Sequence, residues 1–248
     1  MDWTAYEVEA RVEANHWWFV GRRRLFAQVL TSLGLPASAR ILDVGTGTGS
    51  NLRLLRDLGF TQVSGVDSSP PAIRFCRSKG FQHVEEGDAL HLPFPNGSFD
   101  FLLATDVLEH IEDDTRAIRE ILRVLVPGGR VLFTVPAFPS LWGAQDEVGH
   151  HRRRYRLSSL ATLIESTGLR VAHSHYFNYL LFLPIWAARK LMRLMGFEVR
   201  NENQLNTPIL NSILAAIFWL DVRTAPVLKP PLGVSLLVVA QRPGGAGE

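Results

Sequence analysis

Between positions 40 and 136 short β-branched runs alternate with longer amphipathic ones, and no other feature of the chain restricts its fold as strongly. Strands are predicted at 40–44, 62–66, 83–86, 99–105 and 130–135, with helices filling the gaps. Parallel neighbours need a crossover, and a right-handed crossover helix is what this alternation supplies. A further helix at 157–167 closed by Gly168, a strand at 169–176 and a last strand at 234–241 extend the pattern. The expected fold class is therefore α/β, a doubly wound, seven-stranded and mostly parallel sheet. With 248 residues, 46% of them apolar and 20% charged, the chain has apolar surface enough for such a core, which excludes disordered and fibrous classes. The lone cysteine, Cys76, excludes an internal disulfide scaffold and favours a reducing, cytoplasmic setting. Lys and Arg total 26 against 24 Asp and Glu, too even a balance for a nucleic-acid coat, although clustered arginines leave local basic patches.

Two regions stand outside the repeat. An arm, residues 1–37, reads as helical through position 33, and an insertion, residues 178–231, separates the sixth and seventh strands; the core is then 38–177 plus 232–242. In the insertion a helix bracketed by Pro184 and Gly196 sets Arg189, Lys190 and Arg193 beside Ile185, Ala188, Met192 and Met195, the pattern of an interfacial helix. A second helix, 209–220, is apolar on most of its circumference and needs cover from protein, ligand or lipid. By topology the insertion emerges at the ligand-binding edge of the sheet, so it is expected to cap the site, to touch a membrane surface, or to join two copies of the chain. The uncharged stretches 179–188 and 207–220 fall short of the roughly 18–20 residues that span a bilayer, so no transmembrane helix is expected. The first residues lack the basic start and apolar run of a signal peptide.

At the end of the first strand, Asp43-Val-Gly45-Thr46-Gly47-Thr-Gly49 opens a helix, a place where glycine lets backbone approach a ligand closely. A tight turn alone would use the same residues. The dinucleotide fingerprint wants a third glycine where Ser50 stands, and a carboxylate at Asp43 repels phosphates while favouring a cation. S-adenosylmethionine, with a sulfonium, an ammonium and no phosphate, meets that requirement. Asp67 closes the second strand, where a carboxylate can accept both ribose hydroxyls, and Asp88 follows the third, within reach of an adenine amino group. Singly, each reads as a turn or cap aspartate. Together they mark three successive strand ends on one sheet edge, which points to a nucleoside cofactor.

These residues resemble the class I S-adenosylmethionine-dependent methyltransferases, and most closely the type 11 group that includes the quinone-pathway enzymes. The matching motifs are Ile-Leu-Asp43-Val-Gly45-Thr-Gly47-Thr-Gly49, Val-Asp67-Ser68, Gly87-Asp88-Ala89, the run from Phe99 to His110 and Leu125-Val-Pro127-Gly128-Gly129. The resemblance implies a Rossmann-like methyltransferase fold over residues 38–176 plus the last strand. It implies that Asp43 with the backbone of Gly45, Thr46, Gly47 and Gly49 holds the methionine end, that Asp67 and Ser68 take the ribose and Asp88 and Ala89 the adenine, and that Thr105 lines the methionine side. The product would be S-adenosylhomocysteine.

For the acceptor, the loop after the fourth strand reads Thr105-Asp-Val-Leu and lacks the Pro-Pro-aromatic element of base and glutamine amino-methylases, which disfavours nucleic acid. His110 is a candidate base, with a cap or core role equally open. In Asp146-Glu-Val-Gly-His150-His151-Arg152-Arg153-Arg154-Tyr155, the resemblance makes His151 the stronger base, and Arg153, Arg154 and Tyr155 candidate substrate contacts. The spacing of Asp146, His150 and His151 does not separate metal ligands from bystanders, and no metal site is assigned. In the arm, Trp18 and its aromatic neighbours followed by Arg22-Arg23-Arg24 suit a lid over substrate, with an arginine for the methionine carboxylate, or simple packing on the sheet. The expected activity is methyl transfer to oxygen or carbon of a small hydrophobic or lipid-like molecule, by a protein that is cytoplasmic or peripheral at a membrane. A nicotinamide-dependent oxidoreductase, opposed by Asp43 and Ser50, and a cofactor-binding scaffold without turnover are the rival readings.

Overall fold

The computed structural model describes residues 3–194 and 207–244. Two helices, α1 (Trp3–Asn15) and α2 (Trp17–Ser32), precede the alternating region. There β1 (Arg40–Val44), α3 (Ser50–Asp57), β2 (Gln62–Asp67), α4 (Pro70–Ser78), β3 (Val84–Glu86), β4 (Phe99–Thr105), α5 (Asp114–Val124) and β5 (Leu125–Pro136) follow in turn. A short α6 (Ala144–Val148), α7 (Leu157–Ser166) and β6 (Arg170–Phe177) lead into the insertion, α8 (Phe182–Leu194) and α9 (Pro208–Leu228), before β7 (Ser235–Gln241). The helices start where the chain supplies caps: the Asp113 carboxylate accepts from Arg116 N–H at 2.9 Å, prolines occupy the first turn of α4, and Thr207 with Pro208 opens α9.

The seven strands run in the order β3-β2-β1-β4-β5-β7-β6, parallel except for β7, which lies antiparallel between β5 and β6. The order reverses between β1 and β4, the switch point beside which ligands bind in doubly wound sheets. One element begins earlier than expected. β5 starts at Leu125 because Gly128, at φ 80°, forms a break in register inside the strand and not a turn before it: Phe99 faces Leu125 and Phe101 faces Arg130.

Alternation along β4 divides the core. Leu102 and Ala104 face α5 and α7 through Ile118, Ile121, Leu160 and Ile164, while Phe101 and Leu103 face the opposite layer. That second layer draws on both segments outside the repeat. Its helices include α2, through Leu25, Phe26 and Leu30, and α9, through Phe218 and Val222, so arm and insertion jointly cover one face of the sheet. Phe218 is fully buried against Gly21, where a Cβ would meet its ring at 2.0 Å; burying a side chain of that size stabilises by about 1.5–3 kcal/mol. The helix predicted at 209–220 thus extends across Asp221, Arg223 and Pro226 to 21 residues, long and apolar enough by length and composition to cross a membrane, contrary to expectation. One face is tied to the fold. Asp221, fully buried, accepts the backbone N–H groups of Asn178, Tyr179 and Leu180. Another face is open, with Ile209 76% and Val227 80% exposed. Of the expected interfacial helix, Gly196 and Met195 and the side chains of Met192 and Arg193 lie outside the described residues.

Candidate active site

The carboxyl ends of β1 to β5 open into one cavity of about 1340 Å³, roofed by the arm. Its floor is the glycine loop. Gly45 (φ 75°) and Gly47 (φ 51°) adopt left-handed backbone that a side chain would strain, and a Cβ on Gly45 would also strike Val107 at 2.7 Å. Asp67 organises this loop: its Oδ2 accepts Gly47 N–H and its Oδ1 accepts Ser69 N–H, both at 2.8 Å. The carboxylate keeps further lone pairs toward the cavity, which Ser68 and Thr46 also line. Asp88 is set similarly by Leu90 N–H at 2.9 Å, with Ala89 beside it at the rim.

Asp43 and Gly49 differ from expectation, since neither lines the cavity. Gly49, the left-handed cap of α3, faces Cys76 and Phe81. Asp43 is fully buried behind Asn51, whose Nδ2 donates to Asp43 Oδ1 and to Thr105 Oγ1, each at 3.0 Å. Asp43 Oδ2 has no partner, and burial, only partly offset by the Asn51 bond, pushes the carboxyl up to about 8. Two further carboxylates descend from the roof. Glu9 and Glu13, one turn apart on α1, line the cavity above Asp67, and Thr48 Oγ1 donates to Glu13. Burial and then Glu13 raise Glu9 to about 7, and burial raises Glu13 as well. The sequence reading missed this pair and Asn51. An acidic pair spaced four apart in an amphipathic helix was the available signal. An orphaned oxygen on buried Asp43, near Glu9 and Glu13 whose ionisation burial likewise opposes, is a setting that suits a cationic nucleoside without phosphate.

At the far end lie the histidines. His151 Nδ1 and Asp146 Oδ1 are 2.8 Å apart, and Asp146 is fully buried. Burial opposes ionisation of Asp146, but hydrogen bonds from His151 and Arg154 hold it down to about 2. A carboxylate can only accept, so Nδ1 carries a proton, and in the neutral ring the lone pair lies on Nε2. The His110 ring stands edge-on to His151 with centroids 4.7 Å apart, and burial followed by that neighbour lowers its pKa. Glu109, adjacent in the chain and overlooked in the sequence, is fully buried with neither oxygen partnered; burial and then Asp106 raise it well above the usual range. Backbone strain gathers at the same rim, where Asp106, His150 and Asn178 all hold positive φ near 55°.

The candidate acceptor contacts divide. Trp18 lines the cavity and stacks on Phe218 at 5.2 Å, so it serves packing and roof together. Arg154 borders the cavity, but its guanidinium forks onto Asp146 at 2.8 and 3.0 Å, making it a buried strut for the His151 orienting group. Arg153 and Tyr155 lie outside the cavity: both bind Asp114, at 3.0 and 2.9 Å, and fasten the loop to α5. Of the arm arginines, Arg22 pairs with Asp106 at 2.6 Å and Arg23 donates to the Glu13 carbonyl at 2.7 Å, both at the cavity wall. Among the described residues of the insertion, Asn178 also lines the cavity. Ile185 and Arg189 of α8 reach the cavity, whereas no residue of α9 does, because α9 is engaged under α2.

Known proteins resemble this chain in sequence and in fold. A family model described as a methyltransferase domain, type 11, matches residues 42–133. Demethylmenaquinone methyltransferase of Thermus thermophilus is 38% identical over 178 residues, which cover 67% of this chain and 77% of that one. The tRNA (carboxymethyluridine(34)-5-O)-methyltransferase of Arabidopsis thaliana is 39% identical over 116 residues, 46% of this chain and 26% of that one. In fold, the chain resembles the Haloferax volcanii complex of the Trm112 methyltransferase activator with a methyltransferase, with a TM-score of 0.63, 19% identity and coverage of 99% and 97%.

Proposed function

Because the chain belongs to the type 11 family of class I S-adenosylmethionine-dependent methyltransferases, we propose that it methylates an oxygen or carbon of a small hydrophobic acceptor bearing an ionisable hydroxyl. The observation that carries this reading is the continuity of one cavity from the Asp67 and Asp88 strand ends to His110 and His151. Its volume, about 1340 Å³, exceeds the roughly 300–1,000 Å³ of a site for one small ligand, so cofactor and acceptor have room together.

When bound, the cofactor supplies a methyl carbon already activated by a sulfonium, so the protein has chiefly to bind, align and deprotonate. Asp67 and Ser68 hold the ribose and Asp88 and Ala89 the adenine. Glu9, Glu13 and Asp43, which burial holds back from ionising, give up their protons to the advantage of the cationic end, and Arg22 or Arg23 receives its carboxylate. At the acceptor end, His151 Nε2 takes the hydroxyl proton while Asp146 fixes the ring and stabilises the charge that forms. An ionised phenol or hydroquinone is nucleophilic at oxygen and at the adjacent ring carbon, so one base serves both transfers. The Thermus thermophilus relative, named for demethylmenaquinone, supports an acceptor of that aromatic, greasy kind. Trp18, Phe19, Ile111, Ile185 and Val234 supply apolar wall for it.

The open face of α9, with Leu183 and Leu191 of α8 and the cations Lys190, Arg223 and Lys229 nearby in sequence, supports docking at an anionic membrane where such acceptors dissolve. Flotation with acidic liposomes tests this, and a soluble dimer through the same face is the contrary outcome. The function itself is tested by assaying methyl release across hydroquinones, phenols and lipid-linked molecules with wild type and His151→Ala. Turnover falling by roughly 10²–10⁴-fold with cofactor affinity intact is expected of a general base; normal turnover removes His151 from that role.

A further inference from the structure

The acceptor end of the cavity brings together three groups with ligand atoms, a carboxylate oxygen of Glu109 and ring nitrogens of His110 and His151, all within 4.8 Å of one another. The two imidazoles can each offer a lone pair, and Glu109, which burial holds back from ionising, releases its proton to solvent when a cation binds. His151 is turned by the buried Asp146 so that Nε2 is bare, the carboxylate–histidine arrangement by which metal-binding imidazoles are commonly oriented. His110 stands edge-on to His151 with ring centroids 4.7 Å apart, and in its neutral form one ring nitrogen holds a lone pair. Glu109 is fully buried without a hydrogen-bond partner for either oxygen, because the guanidinium groups that act on it are engaged with other carboxylates, Arg22 with Asp106 and Arg154 with Asp146. A buried, unpaired carboxylate is costly to keep, and such groups are ordinarily paired or bound to metal.

We propose that Glu109, His110 and His151 form a site for one divalent transition-metal ion of the zinc, manganese or iron kind, with a coordination position open to the acceptor oxygen. Two imidazoles and one carboxylate suit these borderline ions better than magnesium or calcium, which favour oxygen alone. Ligand bonds of ~2.0–2.2 Å set neighbouring ligand atoms about 3.4 Å apart in a tetrahedron, so a pair at the 4.8 Å limit must close by about 1.4 Å, within the reach of side-chain rotation. Three protein ligands leave room for a fourth from substrate, as in catalytic metal sites. A hydroxyl placed there loses its proton more readily: the O–H bond breaks, oxygen keeps the electron pair, and the proton passes to solvent water. His151 then serves as a ligand in place of a base, so the inference deepens the proposed function and rests on it for the acceptor's position.

The test uses the full chain, stripped with chelator, dialysed, and titrated with Co(II), Zn(II), Mn(II) and Mg(II) by absorption spectroscopy and calorimetry. One Co(II) per chain, with ligand-field absorption that Zn(II) abolishes and no comparable heat from Mg(II), is the expected result. Binding weakens by roughly tenfold or more in Glu109→Gln and in the cavity-lining His110→Gln, and is unchanged in His175→Ala, which breaks a second imidazole pair, His173 with His175 at 3.0 Å. No stoichiometric binding, binding that survives both substitutions, or binding lost with His175 overturns the proposal. Calorimetry with the cofactor on the same samples separates the two readings. Intact cofactor binding with His151-dependent turnover indifferent to chelator refutes the metal and retains the methyltransferase, whereas absent cofactor binding refutes the cofactor cradle whatever the metal titration shows.

Discussion

Replacing Asp67 with asparagine removes a charge while keeping the shape, and the structure sets the size of the effect. In the wild type each carboxylate oxygen accepts one backbone N–H, from Gly47 and Ser69, both at 2.8 Å. Asparagine has a single acceptor oxygen, so its NH2 must face one of those N–H groups, donor against donor. One hydrogen bond to a charged group is lost, worth about 1.5–3 kcal/mol. Gly47 is part of the cavity floor, so the loss falls on a surface the cofactor must touch. Converted at 1.4 kcal/mol per decade, cofactor affinity drops by roughly 10- to 150-fold. Isothermal titration with S-adenosylmethionine and S-adenosylhomocysteine, beside thermal melts, reads both consequences. An affinity within about twofold of wild type in a variant of lowered Tm would refute the reasoning, since the carboxylate would then hold the loop without serving the cradle.

The acidic roof and floor predict a pH dependence. Glu9 near 7 and Asp43 near 8 are raised by burial, so folding favours their protonated forms: their contribution is fully present below the ordinary carboxylate range and is lost as pH rises through 7 to 8. The ligand-free protein should therefore melt lower at pH 8 than at pH 5.5. Binding of a cation has the opposite sign, tightening with pH by at most one decade per unit for each group, and Glu9→Gln should flatten the curve. Measured below about pH 7.5, where an α-amino group stays charged, an affinity flat with pH speaks against the acidic cradle. Asp221→Ala leaves three backbone N–H groups without their acceptor and should cost about 2–4 kcal/mol in urea unfolding; a change under about 1 kcal/mol means that water replaces it freely. Gly21→Ala drives a Cβ into the Phe218 ring and should destabilise by about 1–3 kcal/mol, and an unchanged Tm would show that α2 and α9 slide apart without strain.

Much of this architecture is written locally. Strand periodicity located all seven strands, and the glycine loop with the strand-end aspartates named the cofactor class, because each strand and each strand-end motif is complete within about a dozen residues and the strand order alone lines the motifs up. Even there burial redistributed the roles: Asp43 supplies charge from behind Asn51 instead of lining the site, and Arg153 and Tyr155 fasten a loop. Other features depend on residues far apart in the chain. Trp17 N–H donates to Asn211 Oδ1 at 2.8 Å across 194 positions, part of the seam that turns two apparent appendages into a layer of the core. Glu109 reads as one more charged residue until the fold buries it and brings His151, 42 positions away, within 4.8 Å of its carboxylate. Periodicity reports how strongly each residue seeks burial and on which face of its own element. The identity of the partner it meets is decided by the docking of elements, where a charge or an apolar face acquires its energy from neighbours that the local sequence does not contain.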